Sequence, residues 1–384
     1  MMLPLPLALA IVQPQAAPPA AITLAPDTET RWVGFELTPT NQIRFTVDVN
    51  GRPARAILDT GLSDTVATPR FAAEAGLQPD AREPATAIGG SVEVAWARVS
   101  SIAFGGLERR GGRLGISTAL GQERFGTDLY VGADVLGCCA LDIDYDNRRF
   151  RILPSGRLPF SGATAPLDRM PRSGIYVSQV KLAGTRLHPM VVDTGDGAAI
   201  TLSRAAWRST RAEGRVTTTL GWGMGGAVVT DTVVVSSLSI AGMAPRETEV
   251  RIEPADGFSA SIGTAGRIGT GLMLRYRVLL DPNAKRMVLR AGKAADEAVV
   301  RSTSGLLLDY TGKALRVLHV MRGSPAEQGG WRAGETICAA DGVSVADQVR
   351  ASGTVDWAVG PPGRTVRLTL CGGGDRTLTL RSFY

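Results

Sequence analysis

The tripeptide Asp-Thr-Gly occurs twice in this chain of 384 residues, at positions 59–61 and 193–195. Each copy directly follows an apolar run that is typical of a strand. If the two loops met, Asp59 and Asp193 would share one proton, because two neighbouring carboxylates cannot both ionise cheaply. One carboxylate could then take a proton from water while the other donates a proton to a carbonyl oxygen. Such a pair could add water to an amide with no metal and no cofactor.

A single Asp-Thr-Gly predicts only a turn, in which the aspartate accepts backbone N–H bonds and the glycine adopts a positive φ. Two copies at matching places in a repeated unit favour a shared site instead. Thr60 and Thr194 could hydrogen-bond across the axis between the copies and hold both loops rigid. Gly61 and Gly195 would let backbone amides approach the carboxylates.

Other features of the first copy recur in the second, in the same order and at nearly the same spacing. The offset is 134 residues between the Asp-Thr-Gly motifs, 136 between two glycine-rich segments and 137 between two later glycines. This collinear series indicates an internal duplication, and a duplicated unit predicts a pseudo-twofold axis. The matching segments are Ile88-Gly89-Gly90 with Met224-Gly225-Gly226, residues 99–106 with 235–242, and Gly132 with Gly269.

The elements that position the two motifs are predicted to be strands, so the fold class is all-β. Residues 44–49 alternate apolar and polar side chains and end at Asn50-Gly51, which is a strong hairpin signal. In the second copy, residues 176–182 end at the corresponding Ala183-Gly184. Each copy is expected to contain one or two short helices. The helical segments are 68–77 and 202–214.

The composition excludes several other kinds of active site. Two histidines, His188 and His319, and four cysteines are too few for a zinc cluster built from these residue types. A Ser-His-Asp hydrolase is also disfavoured, since one of those imidazoles would have to be its base. Aromatic residues make up 5% of the chain and the net charge of +6 comes from dispersed arginines, so no nucleic-acid partner is expected.

The four cysteines form two groups along the chain. Cys138 and Cys139 are adjacent, and we expect them to be poor partners for each other because a disulfide needs a wider separation of its Cα atoms. Cys338 and Cys371 lie in two strand-like runs. They could form a disulfide if those strands are neighbours, or they could be buried free thiols.

The paired motifs resemble those of the retropepsin and pepsin-like aspartic proteases, specifically the single-chain bacterial relatives of retropepsins. The resemblance covers residues 31–292 and implies a bilobal, double-ψ acid protease fold with lobes over 31–157 and 158–292. It also implies that Asp59 and Asp193 are catalytic, that Thr60, Gly61, Thr194 and Gly195 support their loops, and that no metal or cofactor takes part. The matching residues are 57–61, 191–195, and the later apolar-glycine pairs Val131-Gly132 and Ile268-Gly269.

The resemblance places substrate-covering flaps at 87–91 and 221–227. Their candidate residues are Gly89, Gly90, Trp222 and Met224, although Trp222 and Met224 could instead pack against their own lobe. The sequence also departs from the family where the residue after Asp-Thr-Gly is usually small. Leu62 and Asp196 occupy those positions, and Asp196 could be a turn cap that faces water.

The C-terminal residues 302–384 resemble a PDZ domain of the bacterial type. Gly305, Leu306, Leu307 and Leu308 correspond to the loop that binds a peptide carboxylate, and a helix is expected to begin at Ser324-Pro325-Ala326. Backbone amides in such a loop can bind a C-terminal peptide, which adds a strand to the open sheet edge. The alternative is a packing module that binds no ligand.

The first twenty residues carry no charge and contain a short apolar core, so residues 1–20 are predicted to be a signal peptide. The signal is atypical, because no Lys or Arg precedes the apolar core; the alternative is a disordered Pro/Ala tail. We expect export to a bacterial periplasm. No later run reaches the roughly eighteen apolar residues that a membrane span requires, so no span is expected.

The sequence therefore predicts a monomeric aspartic endopeptidase that hydrolyses protein or peptide substrates. Its PDZ domain would recruit substrates or regulate the cleft, and a C-terminal peptide would be the ligand of that domain. Two alternatives remain, namely a peptide-binding protein on the same fold with an idle dyad, and a scaffold that acts through the PDZ domain.

Overall fold

The computed structural model describes residues 20–120 and 126–384. Strands make up 46% of the structure and helices 15%, which confirms the predicted mainly β character. The expected signal peptide at 1–20 lies outside the described residues, apart from Ala20.

Residues 20–157, which we call the first half of the duplicated region, consist of short strands joined by tight turns. Its helices are Pro69–Glu74 (α1) and Ala133–Leu136 (α2), and 3₁₀ helices occupy Thr28–Thr30, Thr118–Leu120 and Tyr145–Asn147. The strands are Ala21–Leu24 (β1), Val33–Gly34 (β2), Glu36–Leu37 (β3), Ile43–Val49 (β4), Arg52–Leu58 (β5), Val66–Ala67 (β6), Pro79–Ala87 (β7), Gly90–Arg98 (β8), Ser101–Phe104 (β9), Leu107–Arg110 (β10), Arg113–Ile116 (β11), Leu129–Val131 (β12), Ala140–Asp144 (β13) and Arg149–Leu153 (β14).

The second half, residues 158–292, has three short helices rather than the one or two expected. They are Arg204–Ser209 (α3), Phe258–Ser261 (α4) and Thr270–Met273 (α5). The helices that were not expected are α4 and α5, and a glycine is the N-cap residue of each. The strands are Ala163–Pro166 (β15), Asp168–Arg169 (β16), Tyr176–Leu182 (β17), Thr185–Asp193 (β18), Ile200–Leu202 (β19), Thr217–Gly223 (β20), Gly226–Ile240 (β21), Arg246–Ile252 (β22), Gly266–Gly269 (β23), Tyr276–Asp281 (β24) and Arg286–Ala291 (β25).

Both predicted hairpin turns are confirmed. Asn50-Gly51 joins β4 to β5, and Ala183-Gly184 joins β17 to β18. All four turn residues have positive φ, the conformation of the two-residue turn whose twist matches that of the flanking strands. These hairpins lead directly into the two Asp-Thr-Gly loops, so each turn fixes the register of the strand before an aspartate.

Each half forms a sheet with the same unusual strand order at its centre. In the first sheet, of eleven strands, β12 runs parallel to β5 and antiparallel to β6. In the second sheet, of eight strands, β23 runs parallel to β18 and antiparallel to β19. A strand from late in each half is therefore inserted beside the strand that precedes the Asp-Thr-Gly motif.

A third sheet, which we call the shared sheet, joins the two halves in the order β15-β25-β24-β13-β14-β2. At its centre, Leu141 pairs with Leu280 and Ile143 pairs with Val278. A shift of 137 residues exchanges these two pairs, so the antiparallel register obeys the twofold relation seen in the sequence. The main apolar core is continuous and contains residues of both halves.

Residues 302–384 form a separate sheet, which we call the C-terminal sheet, in the order β26-β27-β28-β30-β31 with β29 beside β28. Its own apolar core includes Trp331 and Trp357. The strands are Leu306–Tyr310 (β26), Leu315–Val320 (β27), Thr336–Ala340 (β28), Val343–Ser344 (β29), Thr365–Leu370 (β30) and Asp375–Thr379 (β31). The helices are Pro325–Gln328 (α6) and Val345–Ser352 (α7), and a 3₁₀ helix occupies Asp356–Val359; another 3₁₀ helix, Lys293–Asp296, lies in the segment before residue 302.

Both cysteine pairs are disulfides. Cys338 and Cys371 pair from β28 and the end of β30, with Cα atoms 5.0 Å apart. The expectation that Cys138 and Cys139 would not pair is wrong, since a disulfide joins these neighbours. They lie in the turn between α2 and β13. In a turn, successive side chains are not forced to opposite faces as they are in a strand.

Candidate active site

Asp59 and Asp193 occupy equivalent places in the two sheets. Asp59 follows the last residue of β5, and Asp193 is the last residue of β18. Leu58, directly before Asp59, pairs with Val131 of β12 in a parallel register. Val192, directly before Asp193, pairs with Ile268 of β23 in the same way. Because these flanking strands are buried, the backbone before each aspartate is fixed on both sides.

The segment after each inserted strand supports the loop from behind. The Ala133 N–H donates to the Leu62 carbonyl at 2.8 Å, and the Thr270 N–H donates to the Asp196 carbonyl at the same distance. A side chain at Gly132 would place its Cβ 2.9 Å from the Leu62 carbonyl oxygen. The glycine predicted from the repeated sequence is thus required by the close approach of two backbone segments.

Thr60 and Thr194 join the two loops through buried hydrogen bonds. The Thr60 hydroxyl donates to the Val192 carbonyl at 2.6 Å, and the Thr194 hydroxyl donates to the Leu58 carbonyl at 2.7 Å. Each hydroxyl also accepts the backbone N–H of the other threonine, at 3.1 and 3.0 Å. The four bonds obey the twofold relation and leave neither loop free to move independently.

The two carboxyl groups lie together at the axis. A Cβ added to Gly61 would collide with the carboxyl of Asp193, and a Cβ added to Gly195 would collide with that of Asp59. Each glycine N–H also donates to the aspartate of its own motif, at 3.1 Å for Gly61 and 2.9 Å for Gly195. The missing side chains therefore make room for the opposite carboxyl group.

This environment disfavours two charges. Burial raises the pKa of Asp59 well above its ordinary value, and the charge of Asp193 raises it further. Burial also raises the pKa of Asp193, to about 6, with a second contribution from the charge of Asp196. The pair therefore retains a proton over acidic and mildly acidic pH, which is the condition for one acid and one base in the same site.

Asp196 caps its own turn, since its Oδ1 accepts the Ala198 N–H at 2.9 Å, but it does not face water. Its side chain is 10% exposed, and it pairs with the buried Arg267 at 3.0 Å. Arg267 also binds Glu253 at 2.6 Å and lies 3.7 Å from Asp193. Although burial opposes ionisation, the charge of Arg267 lowers the pKa of Asp196. A buried ionic group, which we call the Arg267 cluster (Asp193, Asp196, Glu253 and Arg267), thus reaches one side of the dyad.

Sequence reasoning did not identify Arg267 or Glu253. A signal was nevertheless present, because Arg267 lies in the short buried strand β23, directly before the Ile268-Gly269 pair. A charged side chain in a strand of this kind requires a partner in the interior.

The glycine-rich segments form the tips of two hairpins that meet. Ile88 and Gly89 connect β7 to β8, and Met224 and Gly225 connect β20 to β21. The Gly225 N–H donates to the Ile88 carbonyl at 2.8 Å, and a Cβ at Gly89 would lie 2.7 Å from the Gly225 carbonyl carbon. One hairpin from each half therefore contacts the other at its tip.

The remaining flap candidates flank these tips. Gly90 begins β8, opposite Ala87. Trp222 lies near the end of β20 and is 47% exposed, so it is not buried against its own sheet, whereas Met224 at the tip is partly buried. A large aromatic ring is therefore partly exposed to solvent beside the tip.

The residues expected to bind a peptide carboxylate lie at the start of β26. Gly305 and Leu306 already donate their N–H groups to the hydroxyls of Ser302 and Ser304, at 2.9 and 3.1 Å. Leu307 and Leu308 continue into β26, which pairs only with β27 among the described residues. One edge of β26 is thus open, but two of the expected amides are occupied.

The C-terminal sheet contacts the base of the second hairpin, a relationship that the sequence did not indicate. The hydroxyl of Thr217 in β20 donates to the Arg322 carbonyl at 2.7 Å, and that of Thr218 hydrogen-bonds His319 at 2.9 Å. The Arg322 guanidinium pairs with Asp231 of β21 at 3.0 Å. Both strands of the hairpin therefore touch the C-terminal sheet.

Within residues 20–120 and 126–384, no group of three or more His, Cys, Asp or Glu side chains is arranged to hold a metal ion. None of the helices in those ranges is long and apolar enough to cross a bilayer.

A family model described as aspartyl protease matches residues 45–133. The matched segment contains the first Asp-Thr-Gly and the supporting Gly132, and it ends before the second motif. No curated protein matched the sequence. The match supports protease activity in general and agrees with the carboxylate pair.

Proposed function

We propose that this chain is an aspartic endopeptidase in which Asp59 and Asp193 activate a water molecule to attack a peptide bond. The observation that supports this most is the reciprocal packing of Gly61 against Asp193 and of Gly195 against Asp59. That packing brings together two carboxyls whose pKa values burial raises. The resulting acid and base need no residue of any other type.

The proposed fold is the bilobal double-ψ acid protease fold, with lobes over 31–157 and 158–292. The parallel insertion of β12 beside β5, and of β23 beside β18, supports it. In this arrangement the threonine bonds hold both carboxyls in place before substrate arrives. Preorganisation of this kind lowers the barrier, because little reorientation is then required in the transition state.

The two hairpins act as flaps over an extended peptide. Their contact at Ile88 and Gly225 involves one backbone hydrogen bond, which can open at small cost to admit a chain. Trp222 supplies an apolar surface next to the tip. Substrates are therefore flexible or unfolded protein segments that can thread between the lobes as a strand.

Residues 302–384 act as a PDZ-like regulatory module. Their contact with Thr217, Thr218 and Asp231 at the base of the second hairpin favours control of that flap over simple substrate tethering. A C-terminal peptide that adds to the open edge of β26 would have to displace the serine contacts at Gly305 and Leu306. Because Leu307 of β26 pairs with His319 of β27, ligand binding would thereby disturb the strand that contacts the second hairpin.

The enzyme acts as a monomer outside the cytoplasm, with residues 1–20 as an atypical signal peptide and a bacterial periplasm as the compartment. One chain supplies both carboxyls, so no second copy is required to complete the site. The two disulfides are compatible with an oxidising compartment.

The test is cleavage of an unfolded protein and of a mixed peptide library by the wild type, Asp59→Asn and Asp193→Asn. Both substitutions are expected to abolish cleavage, and a chelator is expected to have no effect. Asp80→Asn, at an exposed ion pair with Arg98, is the matched control and retains activity. Peptide binding without cleavage by the wild type would instead support the idle peptide-binding alternative. Cleavage by both Asn variants would contradict the mechanism.

A further inference from the structure

The two halves of the dyad differ in the hydrogen bonds that their carboxylates accept. Asp193 Oδ1 accepts two backbone N–H groups, from Gly195 at 2.9 Å and from Asp196 at 3.0 Å. Asp59 Oδ1 accepts one, from Gly61 at 3.1 Å. Donors that point at a carboxylate favour its charged form, so the second aspartate is the better site for a negative charge.

The halves differ again in charge. Arg267 is 4% exposed, and its Nε lies 3.7 Å from Asp193 Oδ2. In the first half, Tyr130 takes the equivalent position, since it pairs with Ile57 as Arg267 pairs with Val191. No basic side chain forms an ion pair with Asp59 in the described parts of the chain. The twofold relation is therefore broken by a cation on one side only.

We propose that Asp193 is the anionic member of the resting dyad and that Asp59 holds the proton, with Arg267 as the positioning residue that sets this order. The assignment rests on the proposed peptidase function. It identifies Asp193 as the general base and Asp59 as the general acid of the first step.

The proton transfers balance on this assignment. Asp193 takes a proton from water as the water oxygen bonds to the carbonyl carbon, and Asp59 gives its proton to the carbonyl oxygen. The product of this step is a gem-diol, flanked by a protonated Asp193 and a charged Asp59. When the C–N bond breaks, Asp193 gives its proton to the leaving nitrogen and Asp59 recovers one from a diol hydroxyl. The resting state returns with no other reactant.

Asp196 tunes the strength of this bias. Its carboxylate shares Arg267 with Asp193 and with Glu253, and it accepts the Thr201 hydroxyl at 3.1 Å. Asp196 thus offsets part of the cation's charge, and the charge of Arg251 in β22 also lowers the pKa of Asp196. Replacement of Asp196 by a neutral residue leaves Arg267 to act more strongly on the dyad. Ionisation of both catalytic carboxyls should then become easier.

The first experiment follows the remaining dyad carboxyl by ¹³C NMR in Asp59→Asn and Asp193→Asn. Asp193 in the first variant is expected to titrate at least about one pH unit below Asp59 in the second, because only Asp193 has the cation and two amide donors. Equal titration, or the reverse order, would overturn the assignment. This readout needs no catalysis.

The second experiment measures the pH dependence of kcat/KM. Asp196→Asn is expected to move both limbs of the profile to lower pH, and Arg267→Lys is expected to keep them near the wild type. Arg109→Lys is the control, since Arg109 is equally buried and pairs with Asp134 at 2.8 Å in the first half. If Asp196→Asn lowers the height of the profile but leaves both limbs in place, Asp196 has a purely structural role and the tuning role is overturned.

The two proposals fail in different ways. If the wild type cleaves nothing but the titration order holds, the peptidase function is wrong and the charge assignment stands. If cleavage requires both aspartates but they titrate alike, the function stands and the assignment is wrong.

Discussion

Thr60 and Thr194 donate their hydroxyl protons to the carbonyl groups that immediately precede the opposite aspartates. The acceptors are Val192 for Thr60 and Leu58 for Thr194, at 2.6 and 2.7 Å. Each threonine also receives the other's backbone N–H. The position of each Asp-Thr-Gly loop therefore depends on the other half.

Removal of one of these hydroxyls should weaken both folding and activity. Thr60→Val leaves the buried N–H of Thr194 without an acceptor, which should cost about 1–3 kcal/mol in the free energy of unfolding. Because the loop is then less well placed, kcat should fall roughly 10- to 100-fold. Chemical denaturation and steady-state kinetics measure the two effects.

Thr60→Ser keeps the hydroxyl and should keep most of both properties. Thr23→Val, at an exposed threonine, is the control for the loss of a hydroxyl elsewhere. A Thr60→Val protein as stable and as active as the wild type would show that the paired threonines do not hold the loops.

The close approach of Gly61 to Asp193 predicts that even one methyl group will inactivate the site. In Gly61→Ala, the new Cβ would occupy the space of the Asp193 carboxyl, so kcat/KM should fall by at least about 100-fold. Gly34→Ala is the matched control, because no atom lies within 4 Å of its added Cβ and Gly34 lies in an edge strand. If Gly61→Ala and Gly34→Ala are equally active, Gly61 does not pack against the carboxyl of Asp193.

The dyad should make the protein less stable as pH rises. The pKa of Asp193 is raised from 3.8 to about 6 in the folded state, so its carboxyl contributes fully to the free energy of unfolding only at low pH. This contribution, about 3 kcal/mol, is lost as pH rises from 3.8 to about 6 and is absent at higher pH. Asp59→Asn removes a carboxyl whose pKa is raised by burial and by the charge of Asp193, so it should raise the melting temperature at pH 7 and have little effect near pH 3.

Thermal unfolding at a series of pH values measures this difference. Asp80→Asn, at an exposed carboxyl, should show no such gain at pH 7. If Asp59→Asn is less stable than the wild type at neutral pH, the two carboxyls do not repel each other in the folded protein.

The contact between the C-terminal sheet and the second hairpin predicts coupling between them. A double variant, Thr218→Val with Arg322→Ala, removes the bond to His319 and the ion pair with Asp231. Hydrogen exchange of the β20 amides should then accelerate about three- to tenfold, because local opening becomes easier. kcat/KM should change with it. Arg316→Ala, at an exposed arginine that pairs with Asp309 in the same C-terminal sheet, should change neither property. Unchanged exchange in the double variant would contradict control of the flap.

Much of this architecture could be predicted from the sequence because it is encoded locally. Asn50, Gly51 and Gly184 are residue types that readily adopt the positive φ of the two hairpin turns, and these turns fix where each Asp-Thr-Gly loop begins. The repeated spacing then implies a twofold relation, which the register of β13 on β24 obeys.

The remaining features depend on contacts that one sequence does not specify. Arg267 finds Glu253 and Asp196 only once β23 is inserted beside β18, so its neighbours are set by topology. The pairing of Cys138 with Cys139 depends on the conformation of one turn. Both features are seen only in the folded structure, although a charged residue such as Arg267 is unusual in a buried strand.

The central claim, that Asp59 and Asp193 act as one catalytic unit, is tested most directly by kcat/KM for Asp59→Asn, Asp193→Asn and the double variant. When two residues work as a unit, the effects of substituting them on kcat/KM are not additive, because loss of either one stops the same step. Each single variant should lose at least about a thousandfold in kcat/KM, and the double variant should lose no more. A single variant that keeps a tenth of the wild-type rate, or losses that multiply in the double variant, would contradict the account.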